Sequence, residues 1–131
     1  MASEQESPQS LPIRLIVVED NFSVADSLRF VLDSHGFDVV GMAGRVETAL
    51  DLVATTPFDL AVLDIDLHGE IVTPVADAVR ALSKPIVFVT GYNDEALLPQ
   101  HLAELVRLEK PIDADQLANV ILEIVAGPSV N

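Results

Sequence analysis

Six positions in the chain carry side chains suited to phosphoryl and divalent-metal chemistry, and they follow four short apolar runs. Glu19 and Asp20 come after residues 13–18. Asp64, with Asp66 two residues on, comes after residues 58–63. Thr90 closes the run 85–89, and Lys110 follows 105–108. Glu19, Asp20 and Asp64 are hard oxygen ligands, the kind that hold Mg²⁺ through a few carboxylates plus water. A carboxylate can also attack phosphorus and form an acyl phosphate. The Thr90 hydroxyl and backbone N–H groups beyond the strand can donate to phosphoryl oxygens. Three carboxylates alone would repel one another and raise their own pKa values. Mg²⁺ and the Lys110 ammonium balance that charge. Each residue has an ordinary reading when taken singly: an acidic pair caps a loop, an aspartate makes a turn, a Lys-Pro pair means little. The weight lies in all of them reaching one place.

That convergence requires a particular arrangement of elements. The runs 13–18, 37–42, 58–63, 85–89 and 105–108 are apolar throughout rather than alternating, which implies strands buried on both faces. Between them lie helical stripes. Ser23 reads as an N-cap with Asp26 three residues on, followed by Val24, Leu28, Val31 and Leu32 on one face, and Gly36 ends that helix. Val46, Ala49, Leu50 and Val53 form a second stripe, stopped by Pro57. Thr73-Pro74 opens a third helix. Residues 94–102 carry Pro99, so a helix there is short or broken. Asp113 caps a last helix, with Leu117, Val120, Ile121, Ile124 and Val125 on one face. Five βα units with right-handed crossovers give an α/β fold: a five-stranded parallel sheet with helices on both faces. Ligands of such sheets bind at the carboxyl ends of the strands, which is where the six residues fall.

The chain has 131 residues, half of them apolar, enough for one domain with a real core. Residues 1–11 and 127–131 read as polar tails around a domain at 12–126. Twenty-one acidic against seven basic residues give a net charge of −14, which argues against nucleic acid and anionic lipid as partners. The chain contains no cysteine, which removes disulfides, thiol nucleophiles and thiolate zinc sites. An acidic N-terminus and the lack of a long apolar run point to a cytoplasmic protein.

Val18-Glu19-Asp20, Leu63-Asp64-Ile65-Asp66-Leu67, Val89-Thr90-Gly91 and Lys110-Pro111 together resemble the receiver domain of two-component response regulators, over residues 13–126. The resemblance implies a flavodoxin-like (βα)5 fold with strand order 2-1-3-4-5. It makes Asp64 the phospho-acceptor, Thr90 the switch hydroxyl and Lys110 the phosphoryl contact. It makes Glu19, Asp20, Asp64 and the backbone carbonyl of Asp66 the Mg²⁺ ligands. The peptide before Pro111 is often cis in this family. The implied partners are a histidine kinase or histidine phosphotransfer protein and a downstream protein. Phosphate transfer to and from the protein itself is implied, without enzymatic turnover. Arg107 stands where many receivers have an aromatic readout residue. Phe88-Val89-Thr90-Gly91-Tyr92 resembles a subgroup of single-domain receivers with a Phe-x-Thr-Gly motif, found in bacterial general stress signalling, which signal by conformational switching without an attached output domain. Tyr92 could anchor a partner.

The main rival is a haloacid-dehalogenase-like phosphatase, with Asp64 as nucleophile and Asp66 as general acid and base. Those enzymes usually carry the Asp-x-Asp on their first strand and a further acidic pair after the lysine. A flavin carrier would need a Ser/Thr/Gly-rich loop after the first strand, where this chain has Glu-Asp-Asn-Phe. A pure interaction module would not need the acidic rim.

Overall fold

The computed structural model describes residues 11–91 and 94–127. The polar segment 1–10, Tyr92 and residues 128–131 lie outside the described residues, and with them the tails and the Tyr92 anchor. Strand β1 (Arg14–Val18) is followed by helix α1 (Phe22–Ser34), β2 (Asp38–Ala43), α2 (Val46–Thr55) and β3 (Leu60–Asp64). A small hairpin, β4 (Asp66–Leu67) and β5 (Glu70–Ile71), precedes α3 (Thr73–Ala81) and β6 (Ile86–Thr90). Two 3-10 turns, Asp94–Leu97 and Gln100–Leu102, lead to β7 (Arg107–Glu109) and α4 (Ala114–Ala126). The main sheet is parallel, in the order β2-β1-β3-β6-β7. This is the expected order 2-1-3-4-5, renumbered by the hairpin.

The apolar runs are explained by two cores. Ile16, Val18, Ala61, Leu63 and Phe88 face α2 and α3 through Ala49, Val53, Val75 and Val79. Their alternates Leu15, Val17, Leu60, Val62 and Val87 face α1 and α4 through Leu28, Leu32, Leu117 and Ile121. With side chains alternating across each strand, both sets must be apolar. The foot of the sheet is held by a pair between Arg14 and Asp59, whose side chains approach to 3.0 Å.

Two local expectations are corrected, and one element is added. The N-cap of α1 is Asn21, whose side chain accepts the Val24 N–H at 3.1 Å; Ser23 lies inside the helix. The earlier start turns Ala25 into the core and leaves Val24 exposed. The last strand is Arg107–Glu109 rather than 105–108. Leu105 instead closes a turn onto the Leu102 carbonyl and packs against the core. The hairpin was not foreseen. Its loop, His68-Gly69, has positive φ at both residues (54° and 90°), the pattern of a type I′ turn. The other end signals hold. Phe37 N–H reaches the Leu32 carbonyl and Gly36 N–H the Asp33 carbonyl, a Schellman ending with Gly36 at positive φ. Asp113 caps α4 through the N–H groups of Asp115 and Gln116. Pro99 separates the two 3-10 turns. Among the described residues no helix is long and apolar enough to cross a membrane.

Gly41 in β2 lets α2 approach closely: a Cβ there would sit 2.4 Å from Leu52 Cδ1. Gly41→Ala therefore makes the partly buried Leu52 side chain turn aside and lowers stability by about 1 kcal/mol, the low end of overpacking, because only that side chain is in the way. Urea unfolding shows a lower midpoint with unchanged slope, and the penalty shrinks in a Leu52→Ala background.

Candidate functional site

The site is assembled from the carboxyl ends of β1, β3, β6 and β7. Where β1 ends, the Glu19 N–H still pairs with the Ala43 carbonyl, which keeps the residue buried at 5% exposure. Its carboxylate accepts the Asn21 N–H at 3.0 Å. The residue that caps α1 thus also orients Glu19. Asp64 is the last residue of β3 and is 1% exposed. Its Oδ2 accepts from Lys110 Nζ at 2.9 Å, while its Oδ1 is buried with no hydrogen-bond partner. Lys110 Nζ also lies 3.7 Å from Glu19 Oε1. The lysine's own N–H bonds to the Thr90 carbonyl at 2.8 Å, and the Lys110–Pro111 peptide is cis. Thr90, buried at the end of β6, is one residue beyond Val89, the register partner of Asp64.

Glu19, Asp20 and Asp64 each place a carboxylate oxygen within 4.8 Å of the others. Burial pushes the Glu19 carboxyl up to about 7; the Asn21 N–H pulls it back, and the Asp64 charge adds to the rise. Burial likewise raises Asp64, against the pull of Lys110. Burial alone would lower Lys110, but its bonds and attraction to Asp64 and Glu19 outweigh that and raise it. The set suits a hard divalent cation. All the donors are oxygens, the negative charge exceeds what one lysine offsets, and a buried Asp64 oxygen lacks a partner.

Not every expected residue projects its side chain into this cluster. The Asp66 carboxylate accepts the Gly69 N–H at 2.7 Å within the hairpin turn. That engagement works against its use as the acid and base of a phosphatase. Asp113, the first acid after the lysine, is occupied as the α4 cap, as its position in the sequence predicts. His68 has no metal-ligand spacing to another histidine in the sequence. Its imidazole Nδ1 in fact contacts Asp20 Oδ2, carried there by the hairpin turn. The Asp-Leu-His-Gly run was the available signal for that turn. The same hairpin is tied to α2, where the Glu70 carboxylate accepts the Val46 N–H at 3.1 Å. His35 pairs with Asp115 at 2.7 Å and His101 with Asp77 at 2.8 Å, both away from the cluster.

A doubly wound parallel sheet with acidic residues and a lysine at its carboxyl edge is the receiver architecture. The chain belongs to the response regulator receiver domain family, whose sequence model matches residues 15–122. Sensory transduction protein LytT of Bacillus subtilis is 29% identical over 112 residues, covering 83% of this chain and 46% of LytT. The chain thus spans about half the length of the curated relatives it matches. Among solved structures, the receiver domain of a modulated diguanylate cyclase from Desulfovibrio desulfuricans G20 aligns with a TM-score of 0.78 at 29% identity, covering 88% of this chain and 94% of that one. SdrG from Sphingomonas melonis Fr1 aligns with a TM-score of 0.74 at 32% identity, covering 86% and 95%.

The crowding has a measurable consequence in metal-free protein. A carboxyl raised from 4.5 to about 7 on folding makes the native state bind more protons than the unfolded chain. Stability therefore falls as pH rises from about 4.5 through about 7. Glu19→Gln removes that share, so melts in chelator at pH 5 and pH 8 show a smaller drop for the variant. Asp20→Asn also melts higher than the parent without metal, while its Mg²⁺ binding weakens.

Proposed function

We propose that the protein is a phospho-accepting signalling domain, with Asp64 as the acceptor and a histidine kinase or histidine phosphotransfer protein as donor. The observation that carries this reading is the Asp64 carboxylate: one oxygen held by Lys110, the other buried and unpartnered at the rim. Asp64 attacks phosphorus, the P–N bond to the donor imidazole breaks, and an acyl phosphate remains. Glu19, Asp20, Asp64 and the Asp66 backbone carbonyl would hold Mg²⁺, which supplies positive charge to the phosphoryl oxygens. Lys110 screens the same oxygens from the other side, and the Thr90 hydroxyl donates to one of them. The protein undergoes only its own phosphorylation and dephosphorylation and acts in the cytoplasm.

The donor has a path to the site. A cleft of about 650 Å³ runs between α1 and the segment 110–114, lined by Val24, Leu28, Val31, Pro111 and Ile112, and opens onto Glu19, Asp20 and Lys110. Phe22 and Phe30 stand exposed on the same helix. With a net charge of −14, the partner's complementary surface is basic, and association is faster at low salt.

Readout falls to the segment that follows Thr90, because β7 carries Arg107 where an aromatic switch would stand. Two short 3-10 turns make it the least regular part of the described chain, and such segments open at low cost.

Two experiments test the proposal. With a small acyl-phosphate donor and Mg²⁺, the parent takes up one phosphoryl group, chelator stops the reaction, and Asp64→Asn does not label. An Asn variant that labels with the same base-labile chemistry removes the assignment. Thr90→Ala still accepts phosphate but loses the coupled change. Amide hydrogen exchange over residues 91–102 responds to phosphorylation in the parent and not in the variant. A charge-assisted hydrogen bond of about 1.5–3 kcal/mol is enough to make a minor loop state the major one.

A further inference from the structure

Asp94 stands outside the cluster described above, at the start of the first 3-10 turn. Its carboxylate nevertheless reaches back to the rim: Oδ2 accepts the backbone N–H of Gly91 at 2.7 Å. The Asp94 N–H in turn donates to the Gly91 carbonyl at 3.1 Å. Gly91 is the first residue after β6. Asp64 is in register with Val89, so Gly91 lies two residues further along the neighbouring strand, beside Thr90. A backbone N–H at that place is the kind of donor that stabilises phosphoryl oxygens. In the unphosphorylated protein a carboxylate holds it.

We infer that Asp94 is an internal competitor of the phosphoryl group: its carboxylate occupies the Gly91 N–H at rest and is displaced when Asp64 is phosphorylated. The inference rests on Asp64 being the acceptor. One N–H cannot serve two anions with good geometry, and a phosphoryl group brought close to a carboxylate repels it. The two states are therefore exclusive. Because Asp94 opens the turn Asp94–Leu97, its release also frees the first link between the rim and the segment that follows. The charge change at Asp64 is thus converted into movement by exchanging one acceptor for another on a single N–H.

Gly91 belongs to the same device. A Cβ at this residue would lie 2.8 Å from Asp94 Oδ2, its nearest neighbour. The glycine serves the close approach of the carboxylate, and alanine would push that carboxylate away while leaving the N–H in place. Two different substitutions therefore produce one effect: Asp94→Ala removes the competitor and Gly91→Ala evicts it.

The test uses the full chain with Mg²⁺ and beryllofluoride, a tetrahedral stand-in for a phosphoryl group on a carboxylate, titrated by calorimetry. Asp94→Ala and Gly91→Ala each bind beryllofluoride about 10-fold more tightly, the lower end of what one charge-assisted hydrogen bond contributes. Asp94→Asn, which keeps a neutral acceptor, lies between them and the parent. Mg²⁺ affinity without beryllofluoride stays at the parent value in all three, since Glu19, Asp20 and Asp64 are untouched. The Gly91 amide resonance moves in free Asp94→Ala as the bond is lost. Parent-like or weaker beryllofluoride binding by both Ala variants overturns the inference while leaving Asp64 as acceptor. A parent that binds no beryllofluoride and does not label removes the phospho-acceptor reading, and the inference with it.

Discussion

Three carboxylates within 4.8 Å, two of them buried, are the constraint on which the rest of the structure depends. Left to themselves they would protonate or move apart. The chain opposes this with one ammonium, delivered from 46 residues away in sequence to lie 2.9 Å from Asp64. The lysine is held in place by its own N–H, bonded across the sheet to the strand that ends in Thr90. Lys110 and Thr90, the residue proposed to sense phosphorylation, are therefore coupled through the backbone as well as through the site.

The sheet order explains why these strand ends meet. From β1 the chain crosses to β2 on one side, and from β3 it crosses to β6 on the other. The two crossovers leave on opposite faces, as the two cores show, and open a crevice between the carboxyl ends of β1 and β3. Glu19 and Asp20 lie on one side of it and Asp64 on the other. The segments that shape the crevice are fastened at their own ends. Asn21 both caps α1 and orients Glu19, and the hairpin after Asp64 is tied to α2 through Glu70.

Much of this was legible in the sequence, because burial on both faces writes itself as unbroken apolar runs. The runs before Glu19 and Thr90 locate strands within a residue or so, and their ends locate the site. The 105–108 run was read two residues early because Leu105 is apolar for packing in a turn, and the true strand carries charge on its exposed faces. Asn21 was passed over as a cap because Ser23 stood closer to the helical stripe. The hairpin, two residues to a strand, left no strand pattern and only its turn run as a signal, although it brings His68 to Asp20. Asp94 had no signal at all, since a carboxylate turned back onto a backbone N–H looks in sequence like any exposed acid. Gly91 reads in the sequence as part of the Val-Thr-Gly motif alone, whereas in the structure it makes room for the Asp94 carboxylate.

The outermost strand β7 is three residues long, and both Arg107 and Glu109 are exposed on it. A short edge bearing charge is a poor template for another strand, since an incoming chain would gain few ladder bonds and would meet those side chains. The sheet is thereby closed to growth at the end where its last element is least regular. At this edge only the neighbouring helical faces remain open to contacts that form and release without rebuilding the ladder.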